Sequence, residues 1–225
     1  MKRILVFTVA AVAALVVAQD KVKIQPKYTA ESSSSYKITM KMAVGGIEAE
    51  LSGNMVMAVK SAGEAEAKVE YDWQNGKAVV NGEETPVPFA PTHVIYDLKG
   101  DLMKVEGGIE GTDPIRTYLT VFAHLPADEL VKDGTWKKTY PKSAPLGIEE
   151  RTVEGTYLGD EEVSGKKSHK FKIKMVEGGT FTTVITAWLE ADGKIVKLEG
   201  EFTALPLPIA GENANGTVRL ELAAK

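Results

Sequence analysis

From residue 36 onward the chain alternates apolar and polar positions with period two. In S-Y-K-I-T-M-K-M-A-V, Tyr36, Ile38, Met40, Met42 and Val44 fall on one face, and Lys37, Thr39 and Lys41 on the other. Successive side chains of a strand point to opposite faces, so this pattern predicts a strand with one dry side. Gly45-Gly46 interrupts the alternation and I-E-A-E-L resumes it, which is a hairpin signature. Asn75-Gly76 and Asp192-Gly193 read as two further turns, because these residue types tolerate positive φ. Long half-polar strands joined by tight turns predict an antiparallel sheet with one solvated face.

The pattern also repeats. G-D-L-M-K-V-E-G at 100–107 matches G-K-I-V-K-L-E-G at 193–200 in its outer glycines, its lysine and its glutamate. K-I-T-M-K-M-A-V-G-G at 37–46 similarly matches K-F-K-I-K-M-V-E-G-G at 170–179. Two similar sheet halves, 36–111 and 148–225 joined by 112–147, would produce this. Independent drift toward common strand-turn patterns would too, and the unequal spacing of the paired segments brings that reading almost level with duplication. In either case the octet glycines Gly100, Gly193 and Gly200 are structural residues at turns, and no chemistry is needed to explain them.

Between the halves the texture changes. T-D-P-I-R-T-Y-L-T-V-F-A-H-L-P offers Asp113 as a cap and Pro114 at the first helical position. Ile115, Leu119 and Phe122 follow at helical spacing, and Pro126 ends the segment. Its threonines and valine are poor helix formers, so this helix needs tertiary support. The expected fold is therefore mainly β: a curved antiparallel sheet or incomplete barrel with a short central helix. Residues 36–225 form its single domain, after a flexible approach over 19–35 that includes E-S-S-S-S.

The first residues stand apart from this pattern. Lys2 and Arg3 precede the apolar run Ile4–Ala18, and Val16-Val17-Ala18 supplies small residues before Gln19. That is the layout of a secretory signal peptide over 1–18, its apolar run short for a membrane-spanning helix, with an uncleaved membrane anchor as the alternative. The expected location is periplasmic or extracellular, with no transmembrane segment in the mature chain. There is no cysteine, so neither a cysteine-linked lipid anchor nor thiolate chemistry is available. Removing Lys2 and Arg3 takes the formal charge from −4 to about −6, which argues against a nucleic-acid partner.

Candidate chemistry adds little. His93, His124 and His169 have no metal-ligand spacing, and each reads as a surface or half-buried strand or helix-end residue. Glu149-Glu150 and Glu161-Glu162 are adjacent on strands and so point to opposite faces, as a solvated rim would. No nucleophile elbow, Walker loop or dinucleotide fingerprint is present. Lys166, Lys167, Lys170, Lys172 and Lys174 read as a solvated strand face that blocks edge pairing, ahead of a lipid-binding patch. Asn215-Gly216-Thr217 fits a glycosylation acceptor, but its N-G is first a turn signal. The reading assigns no catalytic residue, no metal and no cofactor.

The methionines carry more. Met40, Met42, Met55, Met57 and Met175 fall on apolar strand faces, and thioethers suit either an ordinary core or an adaptable apolar groove. Copper ligation is the weaker reading, because no histidines neighbour the pairs. With Phe122 these residues are the candidates for lining a ligand site. Trp136, in G-T-W just after a turn, is read as a structural cover for the end of the core.

F-A-H-L-P-A-D-E-L-V-K-D-G-T-W at 122–136 resembles the middle segment of uncharacterised exported bacterial proteins. E-G-T-Y-L-G-D-E-E-V-S-G-K-K-S-H-K-F-K-I at 154–173 and A-D-G-K-I-V-K-L-E-G at 191–200 do so too, and the resemblance covers 36–222. That group is similar in general plan to the LolA/LolB-like lipoprotein carriers, curved unclosed β-barrels with helices lining the opening. The resemblance implies an apolar concavity for a lipidic or hydrophobic partner, with Leu125, Trp136, Gly193 and Gly200 as structural matches. It brings no catalytic residue. The function expected is noncatalytic binding of a hydrophobic or lipidic ligand, or of an apolar segment of an envelope protein. A structural or envelope-associated domain with a filled core is the alternative, and a hydrolase with an unrecognised site is the third.

Overall fold

In a computed structural model of the chain, residues 21–108, 113–208 and 211–223 are described. The expected signal peptide lies outside them. The elements are β1 (Ser33–Val44), β2 (Ile47–Ala62), β3 (Glu66–Val80), β4 (Glu83–Pro86), β5 (Thr92–Asp97) and β6 (Leu102–Gly107). Then come α1 (Pro114–Leu119), β7 (Thr135–Tyr140), β8 (Arg151–Val163), β9 (Lys166–Glu177), β10 (Phe181–Leu189), β11 (Ile195–Leu207) and β12 (Glu212–Leu222). The fold is mainly β, one large antiparallel sheet with one short helix among the described residues.

The strand order is β6-β5-β3-β2-β1-β12-β11-β10-β9-β8-β7, with β4 attached to β3. Two meanders, one from each half of the chain, are thus joined by β1 and β12, with Tyr36 opposite Leu222 and Met42 opposite Gly216. The sheet is not closed into a barrel. It curls until its edges approach: Asp101, just before β6, accepts hydrogen bonds from Lys138 Nζ (2.7 and 2.9 Å) and Tyr140 Oη (2.9 Å) on β7. Next to this seam, Tyr118, Leu119, Val121 and Ala123 drop into the common core.

The inward faces are those the alternation predicts. Tyr36, Ile38 and Met40 of β1 are buried, as are Phe171, Ile173 and Met175 of β9, while Lys172 and Lys174 face water. Because β9 lies between β8 and β10, its lysines guard no edge, and only the solvated-face part of that expectation holds. Gly45-Gly46 and Asp192-Gly193 make the expected turns, with positive φ at Gly45, Gly46 and Gly193.

Two other turn expectations are corrected. Asn75-Gly76 lies inside β3, where Asn75 (φ 53°) absorbs a register shift against β2. Phe89 lies over Gly76, where a Cβ would come within 2.3 Å of its ring, and Val87 N donates to Gly76 O. Asn215-Gly216 is likewise interior to β12: a Cβ at Gly216 would meet the Lys41 carbonyl at 1.9 Å. In both places glycine serves close approach between chain segments rather than a reversal. Gly200 is corrected in the same way, since it sits mid-strand in β11 against Ile185.

The helix is capped as expected. Asp113 Oδ1 accepts from the backbone N–H groups of Ile115 and Arg116, and Pro114 opens the first turn. It ends at Leu119 rather than near Pro126, with Thr120 Oγ1 donating to Thr117 O. Hydroxyl competition and the β-branched Thr120-Val121 pair explain the early stop. Phe122 therefore lies beyond the helix.

The segment before β1, read as a flexible approach, lies across one end of the sheet. Val22 forms a two-way bridge with Leu130; Gln25 N donates to Ala191 O and Lys27 N to Asp192 O. Pro26 packs between the turn glycines Gly100 and Gly193, and Tyr28 stacks on Tyr96 at 5.4 Å. The first glycines of the two octets thus clasp the same proline. Their strands are not equivalent, since β6 is a sheet edge and β11 is internal.

Candidate functional site

Beneath this N-terminal strap is a cavity of about 260 Å³. β1, β2, β3 and β5 supply its wall through Tyr36, Met55, Met57, Val59, Tyr71 and Tyr96, and the segment after α1 adds Phe122 and Leu125. The strap and the β10–β11 turn form its mouth, with Lys27, Tyr28, Asp192 and Lys194.

Of the six residues expected to line a ligand site, Met55, Met57 and Phe122 do so here. Met40 is fully buried and borders, with Met55, a separate void of about 30 Å³ near Thr117. Met42 faces a shallow surface hollow on another part of β1, beside Gly46 and Gly216. Met175 is a core residue with no exposure. Alternation placed all four β1 and β2 methionines correctly on strand faces. It could not say where along each strand the interior is hollow.

The tyrosines were missed. Five of the seven, Tyr28, Tyr36, Tyr71, Tyr96 and Tyr118, line this one cavity. Tyr71 Oη is 2.6 Å from Tyr96 Oη and 3.4 Å from Tyr118 Oη, so three phenols from β3, β5 and α1 form one chain of hydroxyls. Phe122 stacks against Tyr96 at 5.8 Å and meets Tyr118 at 5.3 Å. Burial pushes the phenols of Tyr28, Tyr36, Tyr71 and Tyr118 above their ordinary range, which keeps the wall uncharged. Period-two reading does place Tyr36, Tyr71 and Tyr96 facing inward. Their convergence depends on strand register, which the sequence does not display.

A second polar cluster lies at the seam, outside the cavity. Glu177 is buried and sits opposite Arg151 in the β8–β9 register. Its carboxylate nevertheless goes elsewhere: it accepts from Arg116 Nε (3.2 Å) and Nη2 (2.5 Å) and from Glu149 N (2.9 Å). Asp113 is the second acid paired with Arg116. Arg151 is left 2% exposed, its guanidinium 4.5 Å from the Tyr140 ring and its Nε and Nη1 unpartnered. Burial pulls the Arg151 pKa down.

His124 is fully enclosed, which corrects the surface or half-buried expectation. Burial first, then the charges of Arg151 and Lys138, lower its pKa from 6.5 to about 3. His93 is exposed on β5 and His169 lies on β9 beside Asp160, so the three histidines do not meet. Among the described residues no group of three histidine or acidic side chains is placed to hold a metal ion. Glu149, Glu150, Glu161 and Glu162 are all solvent-exposed.

Trp136 is half-buried on β7, its indole lying over Gly155 and meeting Phe171 edge-on at 5.7 Å. A Cβ at position 155 would come within 2.1 Å of the indole, so glycine there is what admits the ring. Leu125 touches Gly193 at the cavity mouth.

Fold and site together define an open, curled antiparallel β-sheet with a tyrosine-lined cavity at one strapped end. No protein-family model matches the chain, and neither does any curated protein. Among solved structures it is similar to a β-barrel-like protein of domain of unknown function DUF1849 from Brucella abortus. That match has 11% identity and a TM-score of 0.35, over 90% of this chain and 97% of the other. A DUF1329 family protein from Desulfovibrio piger matches at 10% identity and TM-score 0.23, over 87% and 85%. Similarity at this level carries no functional argument.

Proposed function

We propose that this is a noncatalytic exported protein that binds one small hydrophobic or lipidic molecule in the strapped end cavity. The observation that carries the reading is the cavity itself: an aromatic and thioether wall, closed by a segment held through few hydrogen bonds. Size narrows the ligand. An engineered apolar cavity of about 150 Å³ holds benzene, so one of 260 Å³ suits about ten heavy atoms. A medium-length acyl chain or a small ring system fits that, and the bundled acyl chains of a lipoprotein do not. The site proposed is thus a single-ligand site rather than a lipoprotein groove.

Apart from Asp192 at the mouth, no carboxylate, histidine or arginine among the described residues lines the cavity. Organic extraction of the purified protein followed by mass spectrometry tests for a resident lipid. Calorimetric titration of the extracted protein with 1-decanol should then saturate at one per chain. A Met57→Lys change, which puts a charge on the wall, should weaken it at least tenfold without unfolding the protein. No resident lipid and no decanol binding would leave the structural reading in its place. Export is tested by N-terminal sequencing of the protein recovered outside the cytoplasm, with a start near Gln19 expected and retention of Met1 refuting it.

A further inference from the structure

The charges around the cavity are segregated by depth. The inner wall presents phenols, hydroxyls, thioethers and hydrocarbon, and all its charged residues belong to the strap and the β10–β11 turn. Lys27 and Lys194 are brought to one rim by the backbone, because Lys27 N donates to Asp192 O two residues before Lys194. Among the described residues neither lysine is in an ion pair.

The acids near the mouth are already engaged. Asp192 Oδ1 accepts from Lys194 N at 3.1 Å, and Glu190 pairs with Lys166. Asp97 caps its own turn through the N–H groups of Lys99 and Asp101, and Asp101 pairs with Lys138. The rim therefore carries one formal positive charge in excess, Lys27 and Lys194 against Asp192. Its two ammonium groups are the charges free to turn toward a guest.

We infer that the ligand is a single-chain amphiphile with an anionic head, its tail among Tyr36, Met55, Met57 and Phe122 and its head between Lys27 and Lys194. This rests on the cavity reading above and adds polarity and orientation to it. A head-down pose would bury an anion against a phenol wall with no cation to neutralise it, which is strongly unfavourable. A head-up pose leaves the anion solvated, with two flexible cations beside it. A cationic head would meet the same lysines and be repelled.

The probes are decanoate, 1-decanol and decyltrimethylammonium, titrated separately into the extracted full chain at pH 8. Decanoate should bind about fivefold tighter than decanol, in keeping with two exposed ion pairs, and the ammonium should bind weakest. Raising the salt to about 1 M, where screening acts over ~3 Å, should shrink the decanoate advantage and leave decanol unchanged. Lys27→Gln with Lys194→Gln should bring decanoate to parity with decanol; Lys27 is exposed, Lys194 is half-buried, and neither is in an ion pair among the described residues. Equal affinity for decanoate and decanol in the parent protein would overturn the head-group assignment while leaving the cavity reading intact. So would a double variant that still prefers decanoate. Failure of all three probes would remove both.

Discussion

The two meanders share a strand plan and differ in how they are filled. Of the largest side chains with less than 2% exposure, Phe171, Phe181, Phe202, Ile173, Met175, Ile185, Leu189 and Leu198 all come from β9, β10 and β11. The N-terminal meander contributes Tyr36, Ile38 and Met40, all from β1, and none from β2, β3, β5 or β6. Its inward positions on β2 and β3 instead include the half-buried Leu51, Met57 and Trp73. One wall of the molecule is thus a packed core, and the facing wall surrounds a hollow. Alternation alone makes a sheet with an apolar face; side-chain size and register decide whether that face is filled.

The largest test of this difference is Phe171→Ala, set against Met57→Ala. Truncating an aromatic in a closed core should cost about 3–5 kcal/mol, read from the midpoint of urea unfolding. Equal losses at the two sites would mean that the N-terminal meander is as tightly packed as its partner. Glu177→Gln should cost a similar ~3–5 kcal/mol, because it removes the buried acid that Arg116 pairs with. Arg151→Met, which removes a cation with two unpartnered donors, should by contrast be neutral or stabilising. A large loss there would show that Arg151 has found a partner such as bound water or an ion.

Trp136→Ala should cost about 2 kcal/mol, less than a closed-core aromatic, since the indole is half-buried on an edge strand. Next comes acid sensitivity. The unfolded chain protonates His124 near 6.5, and the folded chain does so only near 3. The unfolded state therefore binds more protons between these values, and stability falls as pH drops through that window. The contribution is at most about 1.4 kcal/mol per pH unit. His124→Phe should flatten this part of the profile, and an unchanged acid slope would mean that the ring is not buried neutral. Met57→Ala is the smallest effect, about 1 kcal/mol or less, because its neighbours already border open space.

The parts of the fold legible in the sequence were those that depend on neighbours along the chain. Alternation at Tyr36–Val44, the glycine pair at 45–46 and the Asp113-Pro114 cap are local signals, and each appears as expected. Asn75-Gly76 misled because a residue at positive φ, here Asn75, serves a bulge as well as a turn, and the choice rests on Phe89 folding back over Gly76 from the next loop. The site was half legible for the same reason. Met55 and Met57 sit on the apolar side of a readable strand, whereas the tyrosine group joins residues 28, 71, 96 and 118 through the pairings of β3 with β5 and the placing of α1. Arg151 and Glu177 sit at the ends of β8 and β9, where no local signal marks them. Only their shared inward face makes them buried.

The joining of β1 to β12 has a consequence for how the chain folds. Residues 36 and 222, far apart along the chain, meet at the middle of the sheet. Each meander can assemble from neighbouring hairpins, while the central seam must wait for loop closure across nearly the whole chain. Contacts of such long range slow folding. Until they form, β1 and β12 are edges of two half-sheets, each with a row of unpaired amides and an apolar face beside it. Such half-sheets are competent to pair with another chain as well as with each other. Refolding yield should therefore fall with protein concentration even where the native state is stable.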